Sequence, residues 1–133
     1  LEMTGIDRSK YHELLLYGEI SGRENLSATF LLQIDGLNGA YYSSNRGNSE
    51  QGIALMDVST EPGVIIAHMP CACKVFGAYG YATSFQEMPM EFRGTTSHLN
   101  RRDWEDVAAL ELRLKNVTYA DGCKFKLYGV KKI

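Results

Sequence analysis

Proline and cysteine are both scarce: three of each in 133 residues. Cys71, Cys73 and Cys123 are too few and too unevenly spaced for the disulfide framework of a stapled scaffold. An odd number also leaves at least one thiol free in a monomer, which fits a chain folded in a reducing compartment. No run approaches the roughly eighteen apolar residues that span a bilayer. The stretches that exist, such as Val64 to Ala67, stop after a few positions, so membrane insertion is not expected. A surplus of one charge is missing as well. Lys and Arg number 14 against 16 Asp and Glu, a net charge of −2 spread along the chain, which excludes a general electrostatic grip on nucleic acid or anionic lipid. The chain opens on Leu1 with no charged segment leading into an apolar one. No secretory leader is expected in it, and the start suggests a processed product or a piece of a larger chain.

Signatures of chemistry are equally sparse. G-x-S-x-G, G-x-x-x-x-G-K-[ST] and G-x-G-x-x-G do not occur, which leaves a serine-hydrolase elbow, a P-loop and a dinucleotide fingerprint without a basis. His12-Glu13 begins the zinc-protease pattern H-E-x-x-H, but Leu16 stands where the second histidine belongs, so a strand-edge histidine is the simpler account. His68, Cys71 and Cys73, with Cys123 or His98, contain the atoms of a zinc site. Only one C-x-C is present, however, where structural sites use paired C-x₂₋₄-C knuckles, and buried cysteine as a small hydrophobe is commoner. Neither metal nor cofactor is expected. Asp103, Glu105 and Asp106 cluster beside Arg101 and Arg102, and a solvated turn accounts for them more simply than a pair of glycosidase carboxylates. No catalytic residue is assigned, and enzyme activity is not expected. Asn25 and Asn116 head glycosylation triplets, which matter only in a secretory context.

What the sequence does contain is strand rhythm. Apolar residues make up 44 % and charged residues 23 %, the balance of a soluble globular domain, and the length fits one domain over residues 1–133. Thirteen glycines punctuating short apolar runs point to an all-β fold. Tyr11 to Ile20 is too apolar at consecutive positions for a half-exposed strand and predicts a central strand covered on both faces. Ala28 to Asp35 predicts a strand entering a hairpin-type turn at Gly36-Leu37-Asn38-Gly39, with Tyr41-Tyr42 resuming beyond it. Ser43 to Gln51 is the clearest surface loop. Gly52 to Ser59 and Gly63 to Met69 predict two more strands either side of a turn. Between Cys71 and Phe85 the odd positions are bulky (Val75, Tyr79, Tyr81, Phe85) and the even ones bare (Ala78, Gly80, Ala82), which lets a neighbouring backbone approach or leaves room for a bulge. Leu110, Leu112 and Leu114, then Cys123, Phe125 and Leu127, alternate with charged residues. They predict an antiparallel pair with Glu111 across from Lys124 or Lys126. The competing reading makes 102–114 an amphipathic helix, of which the leucine alternation leaves at most a single turn near Asp103.

Eight tyrosines are the one compositional excess. Tyr41, Tyr42, Tyr79 and Tyr81 are the candidate ligand-binding residues, since tyrosine rings stack on sugars and also anchor protein interfaces; the plainer alternative is tyrosine at the rim of a β core.

Three stretches resemble the small β-domains of tailed-phage virion proteins. Ile6 to Gly18 (IDRSKYHELLLYG) is similar to that family's isoleucine, polar stretch, tyrosine and x-x-L-x-L-x-G. Leu32 to Tyr42 (LQIDGLNGAYY) resembles its apolar strand entering a glycine- and asparagine-rich turn. Ala108 to Lys131, with AALELRL and GCKFKLYGVK, resembles its ending G-S-x-F-x-L-Y-G-I. The resemblance implies an antiparallel β-sandwich of jelly-roll type without catalysis. It would be built into a virion in the host cytoplasm as a tail-fibre, receptor-binding or capsid-decoration protein. The implied partners are two further copies in a homotrimer, other virion proteins and a host surface glycan. The loops Ser43 to Gln51 and Arg93 to Arg102 would then carry specificity. A monomeric carbohydrate-binding module of a larger enzyme is the alternative, motivated by the tyrosines.

Overall fold

Strict alternation of burial along two segments decides the centre of the molecule. In the computed structural model Leu14, Leu16 and Ile20 are buried on one side of the strand Tyr11–Ile20. Ile65, Ala67 and Met69 are buried on the same side of the strand Gly63–Pro70. Paired antiparallel from Glu13 opposite Pro70 to Ile20 opposite Gly63, they present one continuous apolar face. The structure describes residues 2–5, 7–20, 28–35, 41–43, 47–49, 52–58, 63–83, 90–96, 103–104, 107, 109–114 and 123–132.

Eleven strands lie in the described residues: β1 (Glu2–Thr4), β2 (Tyr11–Ile20), β3 (Ala28–Ile34), β4 (Tyr41–Ser43), β5 (Gly47–Ser49), β6 (Ile53–Val58), β7 (Gly63–Pro70), β8 (Gly77–Thr83), β9 (Met90–Thr96), β10 (Ala109–Leu114) and β11 (Lys124–Lys131). A 3₁₀ turn at Arg8–Lys10 precedes β2. One sheet has the order β1-β10-β3-β6, the other β11-β2-β7-β8-β9-β4-β5, with every pairing antiparallel. The pairings nest. β4 pairs with β5, β3 with β6, β2 with β7 and β1 with β10, as if one long hairpin closing between Ser43 and Gly47 had been rolled up. This is the wrapping of a jelly roll, with the meander β7-β8-β9 where a single strand would suffice and β11 added beyond β2. The all-β sandwich expected from the sequence is what forms. Its core lies between the sheets, where Leu32, Ile34, Ile53 and Leu110 meet Leu14, Leu16, Ile65, Met69 and Phe92.

One local device sets the spacing of two strands within a sheet, and another joins the two sheets. Ala78 and Ala82 of β8 face inward beside Gly80. A Cβ on Gly80 would collide with the Ile66 carbonyl oxygen of β7, so this bare position permits the close backbone approach that the spacing predicts. Tyr41 supplies the second device. β6 pairs with β3 only as far as Ile53 opposite Leu32, so the ladder stops short of Ile34. The Ile34 N–H donates instead to the Tyr41 hydroxyl at 2.9 Å, and that hydroxyl donates back to the Ile34 carbonyl at 3.3 Å, which stitches one sheet to the other.

Several expectations are corrected. β10 and β11 are strands, but they lie in different sheets; β10 pairs with β1 and β3, and Glu111 sits opposite Glu2 and Gln33 rather than a lysine. Alternation identifies a half-buried strand without naming its partner, and a chain crossing between layers satisfies it equally well. Crossing also explains the misplaced hairpin after Ala28 to Asp35, since β3 and β4 belong to opposite sheets; β6 and β7, the two strands expected either side of a turn, cross between sheets as well. The polar segment Ser43 to Gln51 is not all loop, because Gly47–Ser49 forms β5 against β4. The competing helix gives way, as the leucine alternation predicts, to β10 at Ala109–Leu114. A single turn forms where Val107 N–H donates to Trp104 O at 3.1 Å, while Trp104 N–H donates to Lys74 O and its indole packs edge-on against Phe76.

Removing either device has a measurable cost. Tyr41→Phe leaves the buried Ile34 N–H without its donor-acceptor partner and is expected to lower stability by about 1–3 kcal/mol. Gly80→Ala forces the β7–β8 ladder apart and is expected to cost at least about 1–3 kcal/mol. Urea unfolding checks both: the midpoint falls while the slope stays constant.

Candidate aromatic face

Strand parity sends every second residue of the seven-stranded sheet away from the core, and these outward positions line up in rows. One row runs Lys126, Tyr17, Ile66, Tyr81, Glu91 across β11, β2, β7, β8 and β9. The next runs Tyr128, Leu15, His68, Tyr79, Arg93 across the same strands. Lys124, Glu19, Val64 and Thr83 flank them on one side; Val130, Glu13 and Pro70 flank them on the other. The second sheet covers the opposite side only. Tyr79 (48 %), Tyr81 (51 %), Tyr128 (47 %) and Val130 (43 %) are the large apolar side chains left exposed among the described residues, and all four lie on this face. Leu15, Tyr17 and Ile66 are half-buried between their neighbours. β2 is therefore central within its sheet, as expected, but not covered on both faces.

The aromatic centre is organised by one histidine. His68 stacks on Tyr79 with ring centroids 5.1 Å apart and planes 14° from parallel. That separation is close to the strand spacing of about 4.8 Å, so the two rings stand upright from the sheet and stack across it. One face of Tyr79 is covered by the imidazole and the other is turned toward β9. His68 Nδ1 lies 3.3 Å from Glu13 Oε1. In the neutral ring Nδ1 donates to the carboxylate, which leaves Nε2 as an acceptor. Tyr17 O–H donates to Glu19 at 3.4 Å. Partial burial, reinforced by the Glu19 carboxylate, raises the Tyr17 phenol above its ordinary range and keeps it protonated. Among the described residues, the side chains of Tyr79, Tyr81, Glu91 and Arg93 make no hydrogen bond or ion pair, so an unengaged acid and base stand directly beside two exposed rings.

Of the four tyrosines singled out in the sequence, Tyr79 and Tyr81 lie on this face. Tyr41 does not: it is 1 % exposed in the core, and its place among ligand-binding residues is corrected. Adjacent residues of a strand face opposite ways, so Tyr41 and Tyr42 were never able to share a surface. The Tyr42 side chain lies outside those described; its backbone pairs with Thr95. Sequence reasoning missed Tyr17, His68 and Tyr128, although their parity, opposite to Leu16, Ala67 and Leu127, carried the signal.

The other candidates do not assemble. Cys71 and Cys73 occupy a turn after β7 rather than one side of a strand, the first buried and the second exposed, and Cys123 is half-buried elsewhere. Among the described residues no three His, Cys, Asp or Glu side chains gather as metal ligands. Asp103 is half-buried and bridges to Val75; Glu105, Asp106, His98, Asn25 and Asn116 lie outside the described residues. Of the loops expected to carry specificity, Arg93 to Thr96 belongs to β9, and 97–102 is outside them. Comparison of the chain with known protein families, with curated proteins and with solved structures finds no match.

Exposed and buried aromatics are expected to separate sharply on substitution. Tyr79→Ala and Tyr81→Ala should each change stability by no more than about 0.5 kcal/mol. Trp104→Ala, at 2 % exposure against Phe76, should cost about 3–5 kcal/mol by denaturant titration.

Proposed function

We propose that this protein is a non-enzymatic structural component of a phage virion: a tail-fibre, receptor-binding or capsid-decoration jelly roll that assembles as a homo-oligomer, a trimer by resemblance. The observation that carries the proposal is the outward face of the seven-stranded sheet, an aromatic surface on a double layer. A jelly roll with one such face is suited to recognition by surface rather than to chemistry in a cleft. The sequence resemblance supports it further. Its first and last stretches form β2 and β11, which pair along their length from Glu19 opposite Lys124 to Tyr11 opposite Lys131. Its middle stretch carries the crossing from β3 to β4.

The same face favours a second reading, a monomeric carbohydrate-binding module, because tyrosines with polar neighbours suit sugar rings as well as protein surfaces. Absolute mass by light scattering over a dilution series separates the two. The virion assignment expects a trimer that survives dilution and is found on purified particles. A strict monomer absent from particles overturns it in favour of the binding module.

A further inference from the structure

The outward face of the seven-stranded sheet is bounded by six charged side chains: Lys124, Lys126 and Arg93 against Glu13, Glu19 and Glu91. Three bases and three acids cancel, so the rim attracts no ligand of either sign, and a nucleic acid, an anionic lipid or a strongly charged peptide gains nothing from it. Its extent is also limited. Its part between β11 and β9 spans four strand spacings, about 19 Å, and the four rows there cover about 20 Å, for a projected area of roughly 400 Å². What fits is small, uncharged, flat on one side and rich in hydroxyls.

The site for it lies over β8 and β9. Tyr79 and Tyr81 project from the same side of β8, about 6.8 Å apart, and set the length of the site. Arg93 stands opposite Tyr79 and Glu91 opposite Tyr81, so each exposed ring has one polar side chain facing it across the ladder. His68 backs Tyr79, and the Glu13 carboxylate holds the imidazole in place. Rings backed by fixed neighbours lose little freedom on binding. A pyranose offers C–H groups on one face and hydroxyls around its edge. The first would pack against the ring faces left open, for Tyr79 the one turned toward β9, since the imidazole covers the other. The second would donate to the Glu91 carboxylate and accept from the Arg93 guanidinium, two groups with no other partner among the described residues.

From this geometry we infer that the β8–β9 surface is a binding site for a neutral oligosaccharide, with Tyr79 and Tyr81 as the stacking rings, Glu91 and Arg93 as the hydroxyl partners, and His68 and Glu13 as positioning residues. The inference deepens the recognition role proposed above and rests on it only to that extent, since it holds for a virion protein and for a binding module alike.

Isothermal titration calorimetry of the whole chain against neutral hexasaccharides of glucose, galactose, mannose and N-acetylglucosamine, with an anionic uronic-acid hexasaccharide alongside, tests it. At least one neutral sugar is expected to bind. Tyr79→Ala and Tyr81→Ala should each weaken that binding by about 3- to 10-fold. Glu91→Gln and Arg93→Ala should do the same, while Lys74→Ala in the turn after β7 leaves it unchanged. Circular dichroism and the urea midpoint establish that each variant is folded. No heat with any neutral sugar at millimolar concentration overturns the inference, as does binding of the anionic sugar alone. Neutral binding indifferent to both tyrosines overturns it too. If Tyr79→Ala and Tyr81→Ala instead dissociate an oligomer in light scattering, the face is a subunit interface and the inference is wrong. Mass and sugar binding read out separately. A monomer that binds sugar and is absent from particles removes the virion assignment alone, and a trimer indifferent to sugar removes this inference alone.

Discussion

The ladder between β2 and β7 is the interaction on which the rest of the molecule depends. It joins residues 13–20 to residues 63–70, and its inner side contributes Leu14, Leu16, Ile20, Ile65, Ala67 and Met69 to the core. β11 can add only because β2 is already in place, and β8, β9, β4 and β5 add in turn from β7. The four-stranded sheet then closes over a surface this ladder has prepared. The same eight pairs set the other side of the sheet. Leu15 opposite His68 and Tyr17 opposite Ile66 form the aromatic and aliphatic centre, and the Glu13–His68 contact crosses the same two strands. Core and recognition surface are thus two faces of one ladder, and a slip of one residue would exchange them.

That duality shows which parts of the structure were legible from sequence. β10 and β11 announced themselves by alternation at period two, and β2, β3, β6 and β7 as short apolar runs bounded by polar or turn residues. Partners were not legible. Leu110 to Leu114 and Phe125 to Leu127 alternate as well as any hairpin, yet they end in opposite layers, since only the three-dimensional wrap decides which edge is free to receive each strand. β5 was hidden for another reason. Gly47, Asn48 and Ser49 have little strand propensity, and they are extended because β4 offers an edge to pair with. The candidate site divides the same way. Tyr79 and Tyr81 were visible as bulky residues opposite a bare face, and the bare face proved to be the buried one. Tyr41 was misjudged because a tyrosine whose hydroxyl meets backbone partners between two sheets looks, in sequence, like one that faces water.

The arrangement of polar residues around the aromatic centre bears on how such a surface stays soluble. β11 is the outermost strand of its sheet among the described residues, and eight residues long, the kind of edge that invites pairing with another chain. It carries Lys124, Lys126 and Lys131, exposed and spaced along its length. Lysines at a sheet edge oppose uncontrolled strand addition, because a second edge of the same sequence would bring like charges together. Tyrosine rather than phenylalanine or leucine at the exposed positions has a related effect, since each ring ends in a hydroxyl that water can satisfy.

The pairing of β2 with β11 has a consequence in time. Glu19 meets Lys124 across a stretch of roughly a hundred residues, and a ribosome adding about 5–20 residues per second needs on the order of 5–20 s to make it. Throughout that interval Leu14 and Leu16 exist on a nascent chain while the strand that flanks them on one side does not. Loop closure over such distances is slow compared with local structure. The β2 edge of the seven-stranded sheet therefore stays unpaired until residues 124–131 have been made, and whatever attends the emerging chain meets an incomplete sheet before it meets a complete one.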